Sequence, residues 1–273
     1  MNFEKKANSK AFMFFDRLFR LFICNILTIA SMAVPVALII WVLIVIGNDV
    51  EVSKVILLFW IAFAIFIITF PFLILPAIVS TFEVIKRINE GGVIFKDWFS
   101  AFRKYYVKSM LIGTIFAIIF GLVLFSIYFY SNVEIVETGI QIGSLVISTK
   151  LQNIIIQAGF VVMMVLGLAT LLFVMHVPLL ITTFPKLKIG DFLRTDLFVT
   201  INNFLSTIFL LGCFIICVIS FIVFPVWILF GISLPIMIAI KLTKISYSQL
   251  ENVDFDKINQ IIDDEEKNEE RLG

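Results

Sequence analysis

This chain contains several long runs of apolar residues without a charged side chain, separated by shorter charged segments. The first lies between Arg20 and Asp49, and a helix of that length crosses about 30 Å of hydrocarbon. The run from Leu197 to Ile240 is about twice as long as one crossing needs. Pro225 is its predicted break, because proline lacks the N–H and clashes with the preceding turn. The pattern predicts six transmembrane helices, at about residues 21–47, 55–82, 109–131, 152–177, 198–223 and 226–244.

The composition agrees with this pattern and excludes a soluble enzyme. Of the 273 residues, 61% are hydrophobic and only 15% are charged, whereas soluble domains carry about 25% charged residues. The sequence therefore predicts an all-α membrane protein, with a membrane domain at residues 1–247 and a cytoplasmic tail at 248–273. The tail ends in the acidic run 263–270, which we expect to be disordered. A net charge of +1 gives no argument for nucleic acid.

The distribution of Lys and Arg predicts the orientation, because these residues accumulate in cytoplasmic loops. With the N-terminus inside, 19 of the 21 basic residues fall on the cytoplasmic side, and only Lys54 and Lys150 lie outside. We therefore expect both termini in the cytoplasm and a bacterial plasma membrane. A cleaved signal peptide is the competing interpretation, since basic residues precede the first run and Ser31-Met32-Ala33 resembles a cleavage site. Cleavage there would leave fifteen further apolar residues at the new N-terminus.

The second loop, between the second and third spans, carries the most structured polar segment. Aromatic residues recur there at helical spacing, with basic residues on the other side, which predicts an interfacial amphipathic helix lying flat on the inner leaflet. Its role is either anchoring to the membrane surface or docking a cytoplasmic partner. The candidate docking residues are Lys96, Asp97, Trp98, Phe99, Phe102, Arg103 and Lys104.

Two stretches of the chain resemble each other. Residues 76–99 and 178–193 share a proline, a Thr-Phe pair and, after a short loop, an Asp followed by an aromatic residue. We expect Asp97 and Asp191 to act as helix N-caps. These shared features indicate an internal duplication of a helix pair, although apolar sequence also matches itself by chance.

Charged residues within lipid are costly and are therefore functional candidates, but the charge-free runs contain no Asp, Glu, Lys or Arg by definition, and His176 is their one histidine. This pattern argues against a proton- or sodium-coupled carrier acting alone. It also argues against a metal site, because Cys213 and Cys217 have no evident further ligands. We predict no enzyme and no cofactor.

Uncharged polar residues gather toward the inner ends of the predicted spans. They either line one cavity or form hydrogen bonds between helices. Small residues on one face of the third span, Gly113, Ala117 and Gly121, predict close helix packing, as do Gly159 and Gly167 in the fourth, and such faces can also support oligomers. The candidate cavity residues are Asn25, His176, Asn202, Asn203, Ser206 and Thr207.

Three segments carry a family resemblance. They are residues 15–22 (FDRLFRLF), the stretch from Leu75 to Ser109, and the stretch from His176 to Ile208. Their pattern and order, over about residues 14–215, resemble the YesL-like family of bacterial integral membrane proteins. The resemblance implies a small helical membrane protein that assists carbohydrate uptake, and it carries over no catalytic residues.

These observations favour a non-enzymatic plasma-membrane protein that is an accessory or component of a solute uptake system, with carbohydrate as the implied solute. The expected partners are the lipid bilayer and a permease or cytoplasmic transporter subunit. The alternatives are a stand-alone channel or facilitator, and a membrane scaffold or regulator without transport activity.

Overall fold

The computed structural model describes residues 10–46, 52–88, 93–133, 140–142, 145–223 and 231–241. Helices dominate these residues, with one short antiparallel hairpin between β1 and β2. The elements are α1 (Lys10–Ile46), α2 (Val52–Thr69), a π-helical turn (Phe70–Ile74), α3 (Leu75–Lys86), α4 (Ile94–Asn132), β1 (Ile140–Ile142), β2 (Leu145–Ile147), α5 (Thr149–Thr183), α6 (Ile189–Asn202) and α7 (Phe204–Val223). A last helix, α8, covers 233–241.

Several of these helices are long and apolar enough to cross a membrane. Within the described ranges they are Ile56–Lys86, Ile94–Asn132 and Thr149–Thr183. A fourth crossing is added if α6 and the described start of α7, which meet at an angle of 91°, count as one span. The chain thus has the character of a helical membrane protein. The first predicted span, 21–47, lies on α1 except for its last residue, which is outside the described part of the chain.

The second predicted span contains a π-helical turn that the apolar pattern did not reveal. It contains Pro71 and is followed two residues later by Pro76, and neither proline can donate a backbone hydrogen bond. The neighbouring helix α4 approaches this turn closely. A Cβ added at Gly113 would lie 2.9 Å from the Cα of Pro71, so only glycine fits there.

The predicted flat helix of the second loop is wrong as a separate element. Its residues form the first turns of α4, which runs without a break for 39 residues. A straight helix of that length measures about 58 Å, about twice the hydrocarbon thickness, so its N-terminal turns extend beyond the lipid core. The predicted N-caps are also wrong. Val93 and Lys188 are the N-cap residues, and Asp97 and Asp191 lie in the first helical turns, where a negative charge still favours the helix dipole.

The predicted sixth span, 226–244, is not one continuous helix. Gly231 and Ile232 form a turn, and α8 begins only at residue 233. The side-chain oxygen of Asn25 accepts hydrogen bonds from the backbone N–H groups of Ile232 and Ser233 at 2.9 and 3.2 Å. A helix start is stabilised in this way because its first N–H groups have no partner within the helix. Residues 226–230 and 242–244 lie outside the described part.

The core lies where α3, α4 and α5 pack against one another. Leu75, Val79, Ile112, Val177 and Leu180 are among its fully enclosed residues. Most predicted small-residue contacts are found here, within the chain. Gly113 meets Pro71, Gly159 meets the ring of Tyr130, and Gly167 meets Val123. An oligomer formed through such faces stays a prediction.

Two lysines of α3 and α4 bind the α5–α6 connection at one end of the bundle, which we call the basic end. The ammonium group of Lys86 donates to Thr183 at 3.2 Å. That of Lys108 donates to the carbonyls of Phe184, Pro185 and Leu187 at 2.9 to 3.0 Å. These bonds tie α3 and α4 to the end of α5 and to the α5–α6 connection. The hairpin, between the end of α4 and the start of α5, belongs to the opposite end.

The two similar stretches adopt similar arrangements. In each, a helix containing a buried proline, Pro76 or Pro178, is followed by a short connection and a second helix. The aromatic residue after each Asp is enclosed in the core, with Trp98 3% exposed and Phe192 fully buried. We call α3–α4 the first helix pair, and the end of α5 with α6 the second helix pair. The repeated burial supports the predicted duplication.

Candidate functional site

A cavity of about 300 Å³ opens at the basic end, between α1, α3 and α4. We call it the charged cavity. Charged and polar side chains form much of its wall, together with the apolar residues Val84, Ile88 and Ile94. The polar and charged lining residues are Arg20, Glu83, Arg87, Asp97, Ser100 and Lys104.

Two ion pairs hold the arginines of the charged cavity in place. The guanidinium of Arg87 lies 2.6 Å from the carboxylate of Glu83, one helical turn away on α3. The Nε of Arg20 donates to the carboxylate of Asp16 at 2.7 Å, again one turn away, on α1. Glu83 is nearly buried, so its charge needs this partner. The pairs therefore orient both guanidinium groups before any ligand arrives.

Buried hydrogen bonds fix α4 beside this cavity. The indole N–H of Trp98 donates to the hydroxyl of Thr81 on α3 at 3.0 Å. The hydroxyl of Thr81 also lies in a short hydrogen bond with that of Thr28 on α1. Because all three side chains are buried, these bonds join three helices in a low-dielectric interior. Trp98 therefore belongs to the core and is not part of the predicted docking surface.

The other predicted docking residues divide between two faces of α4. Phe95 and Phe99 are 58% and 43% exposed, and their ring centroids lie 4.9 Å apart. Lys96 and Arg103 are exposed with them, and we call these four residues the outer face of α4. Asp97 and Lys104 line the charged cavity instead. Phe102 is half-buried and stacks on Trp98 at 5.4 Å.

The predicted polar cluster near the inner ends separates into two groups. Nε2 of His176 on α5 lies 2.7 Å from the hydroxyl of Thr207 on α7, and both residues are buried. Asn203 connects to this group, since its carbonyl accepts from the Thr207 hydroxyl. Asn25 forms its hydrogen bonds with α8 instead. Asn202 is exposed, and Ser206 is half-buried.

One buried carboxylate was missed by the sequence reasoning. Asp196, only 2% exposed, lies inside the bundle rather than in a loop. Its Oδ1 has no hydrogen-bond partner, and the same is true of the Thr200 hydroxyl one turn later on α6. The hydroxyl of Ser109 and Nδ1 of His176 are likewise buried without a partner. A search for charge-free apolar runs does not find Asp196. This residue lies directly before the run that begins at Leu197, two positions after Arg194, so the sequence places it outside the span.

The described part of the chain offers no metal centre. It contains no group of three or more His, Cys, Asp or Glu residues that could hold a metal ion. Cys24 and Cys213 are free thiols, and Cys24 is buried. The side chain of Cys217 lies outside the described residues.

Comparison with known proteins adds one relationship. Residues 54–127, about a quarter of the chain, match the family model described as "Protein of unknown function, DUF624". Neither the curated proteins nor the solved structures yielded a match. The matched segment contains α3 and most of α2 and α4. It therefore carries the first helix pair and most of the charged cavity, within a helical protein of membrane character.

Proposed function

We propose that this chain is a non-enzymatic, multi-pass membrane protein that acts as an accessory or component of a solute uptake system. Carbohydrate is the proposed solute, and the bacterial plasma membrane is the proposed location. The proposal draws on the resemblance to the YesL-like family. The match to the DUF624 family supports that resemblance, because the stretch from Leu75 to Ser109 lies within the matched segment. In this proposal the chain binds a permease or a cytoplasmic transporter subunit and catalyses no reaction.

The observation that carries the proposal is the outer face of α4. Trp98 anchors this segment to α3, so Phe95, Lys96, Phe99 and Arg103 project from a helix that is already held in place. Exposed aromatic rings beside cations on one helix face are the chemistry of a helix that docks into a partner's groove. Preorganisation lowers the entropy that such docking must overcome.

The experiment is a double substitution, Phe95→Ala with Phe99→Ala, in cells that carry the native uptake system. We expect the variant to lose co-purification of the transporter subunits and to lower sugar uptake to the level of a strain lacking this protein. Its thermal stability should stay unchanged, because both rings are exposed.

The matched control is Phe129→Ala, an exposed phenylalanine near the other end of the same helix. It should leave co-purification and uptake at their normal levels. Normal co-purification and uptake in the Phe95/Phe99 variant would contradict the proposed docking role.

A stand-alone channel or facilitator is the second candidate, and the buried Asp196 favours it. Ionisable residues enclosed in membrane bundles commonly belong to solute or ion pathways. Purified protein alone in proteoliposomes separates the two candidates. The accessory role predicts no sugar flux, whereas a facilitator predicts flux that the substitution Asp196→Leu reduces.

A further inference from the structure

The inward face of α6 carries a carboxylate and a hydroxyl group that lack partners. Asp196 and Thr200 are 2% and 3% exposed. Within the described part of the chain, neither Oδ1 of Asp196 nor the Thr200 hydroxyl forms a hydrogen bond. Residues four positions apart on a helix are neighbours on its surface. The two oxygen atoms therefore belong to one buried face, one helical turn apart.

The Thr200 hydroxyl differs from most other buried threonine hydroxyls of the described helices. These donate to the carbonyl oxygen four residues earlier in their own helix, at 2.7 to 3.0 Å, as is the case for Thr28, Thr81, Thr170, Thr195 and Thr207. The hydroxyl of Thr200 does not form the equivalent bond with the carbonyl of Asp196. A hydroxyl group that gives up this local bond keeps its oxygen available for a ligand.

The cationic side chains around α6 serve other groups. The ammonium of Lys108 lies 5.5 Å from the ring centroid of Phe192, which is one turn before Asp196. Its three N–H groups are already used, because it donates to three carbonyl oxygens within residues 184–187. Arg194 lies on the exposed face of the same helix. Among the described residues no ion pair neutralises Asp196.

The end of α6 adds to the preference for a cation. Thr200 belongs to the last turn of this helix, which ends at Asn202 before the bend of 91° into α7. The last carbonyl groups of a helix have no partner within it and carry partial negative charge. Interrupted helices of membrane proteins bind cations through such carboxyl-terminal ends. The carboxylate and the helix end therefore both attract positive charge.

From this arrangement we propose that Asp196 and Thr200 bind a monovalent cation, such as sodium, beside the bend between α6 and α7. Hard cations prefer oxygen ligands, and one carboxylate balances one positive charge. Asp196 directly precedes the charge-free run that begins at Leu197, so an ion arriving from water crosses little hydrocarbon. The proposal goes beyond the docking role of α4. It concerns binding alone, so it does not depend on whether the chain transports a solute.

The test measures binding of radioactive sodium to the purified full-length protein in detergent, in a mildly alkaline choline buffer where few protons compete. We expect saturable binding that Asp196→Asn weakens at least about tenfold, because an amide of the same shape has no charge to balance the ion. Thr200→Val should weaken it by about threefold to tenfold, because a methyl group replaces one ligand oxygen. Absence of saturable binding to the native protein would overturn the proposal, as would unchanged affinity in Asp196→Asn.

The matched controls are Asp191→Asn and Thr195→Val, which make the same two changes five positions earlier on α6. Asp191 lies in the first turn of this helix, and the hydroxyl of Thr195 already donates to the carbonyl of Asp191. Both controls should leave the affinity for sodium unchanged. Equal weakening by the controls would overturn the proposal, since it would indicate a general effect of α6 instead of this pair of ligands.

Competition with calcium tests the charge of the ion. The described part of the chain holds no group of three or more His, Cys, Asp or Glu residues, whereas calcium sites commonly combine several carboxylates. Calcium should therefore displace radioactive sodium no better than unlabelled sodium does. Displacement at concentrations at least about tenfold lower would overturn the assignment to a monovalent ion.

Thermal unfolding gives a second readout that does not depend on a tracer. Replacing choline by sodium at constant ionic strength should raise the melting temperature of the native protein by about 5 °C, once sodium exceeds its dissociation constant about a hundredfold. Asp196→Leu should melt above the native protein in choline, because leucine needs no partner, and below it in sodium. An equal rise in Asp196→Leu would overturn the proposal.

Discussion

The first and second helix pairs share an arrangement but differ in the segment that comes after the buried aromatic residue. After Trp98, α4 continues as one helix to Asn132. After Phe192, α6 ends at Asn202, and the chain turns by 91° into α7. The residue four positions beyond the aromatic also differs, since Phe102 stacks on Trp98 whereas Asp196 is a buried carboxylate.

The bend of the second pair lies at Asn203, where side chains bind carbonyls one turn earlier. The side-chain amide of Asn203 donates to the carbonyl of Val199, and the hydroxyl of Thr207 donates to the carbonyl of Asn203. The equivalent stretch of α4 has Tyr105 and Ser109 and stays helical. The first helix pair thus holds a continuous helix through its buried aromatic residue, whereas the second pair leads into a bent segment with polar side chains.

The most severe test of the equivalence removes the buried aromatic residue from each pair. Trp98→Ala and Phe192→Ala should each lower the free energy of unfolding by about 3–5 kcal/mol, because both leave large cavities. Thermal unfolding in detergent measures the loss. Phe99→Ala and Leu197→Ala, at exposed positions on the same helices, are the controls and should have small effects. A large loss in one pair alone would break the equivalence.

The next effect concerns the close approach of α4 to the π-helical turn, which belongs to the first pair alone. Gly113→Ala should destabilise the protein by about 1–3 kcal/mol, because its Cβ would meet the backbone of Pro71 at 2.9 Å. Gly121→Ala, two turns later on α4, is the control, since the nearest atom there lies at 3.8 Å. Equal melting temperatures of the two variants would contradict the close packing.

A smaller difference separates two threonines at equivalent positions of the pairs. Thr81→Val should cost about 1–2 kcal/mol, since it leaves the buried N–H of Trp98 without a partner. Thr183→Val should change the stability by less than about 0.5 kcal/mol, because its bond with Lys86 is exposed to water. Chemical denaturation of both variants checks this ranking, which a larger loss for Thr183→Val would reverse.

The smallest expected effect has the opposite sign. In sodium-free buffer, Asp196→Leu should raise the stability by about 1 kcal/mol, because a buried carboxylate oxygen without a partner is unfavourable and a leucine of similar size is not. Asp191→Leu, in the first turn of the same helix, is the control and should bring no gain. A destabilised Asp196→Leu protein would indicate that the carboxylate has a favourable partner in the folded state.

The sequence predicts the helices well and their irregularities poorly. Charge-free length identifies the stretch of α2 and α3, and also α4 and α5, because lipid demands long apolar helices. The small residues Gly113 and Gly167 correctly predict close packing. Pro71 and Pro76 are visible in the sequence, but whether a helix bends, breaks or forms a π-helical turn depends on its neighbours. The turn at Gly231 was missed for the same reason. The N–H of Ile232 in this turn donates to the side chain of Asn25, which lies 207 positions earlier in the chain.

The candidate site was harder to predict than the fold. The sequence singles out the aromatic and basic residues of the second loop as docking residues, which stays a prediction, and their periodicity does not distinguish the buried Trp98 from the exposed Phe95 and Phe99. The charged cavity combines Arg20 with residues more than 60 positions later, and no local pattern encodes such a meeting. In the sequence Asp196 looks like a loop residue, but the structure places it in α6 and buries it.

The central claim is that the bundle crosses the membrane with its basic end, and so the charged cavity, in the cytoplasm. Single cysteines at positions 150 and 186, in a protein with Cys24, Cys213 and Cys217 replaced by alanine, test it in intact cells. Both native side chains are exposed lysines, and they lie at opposite ends of α5 and its connection to α6. An impermeant thiol reagent should label Lys150→Cys and leave Lys186→Cys unlabelled until the cells are opened. Labelling of Lys186→Cys from outside would contradict the claim.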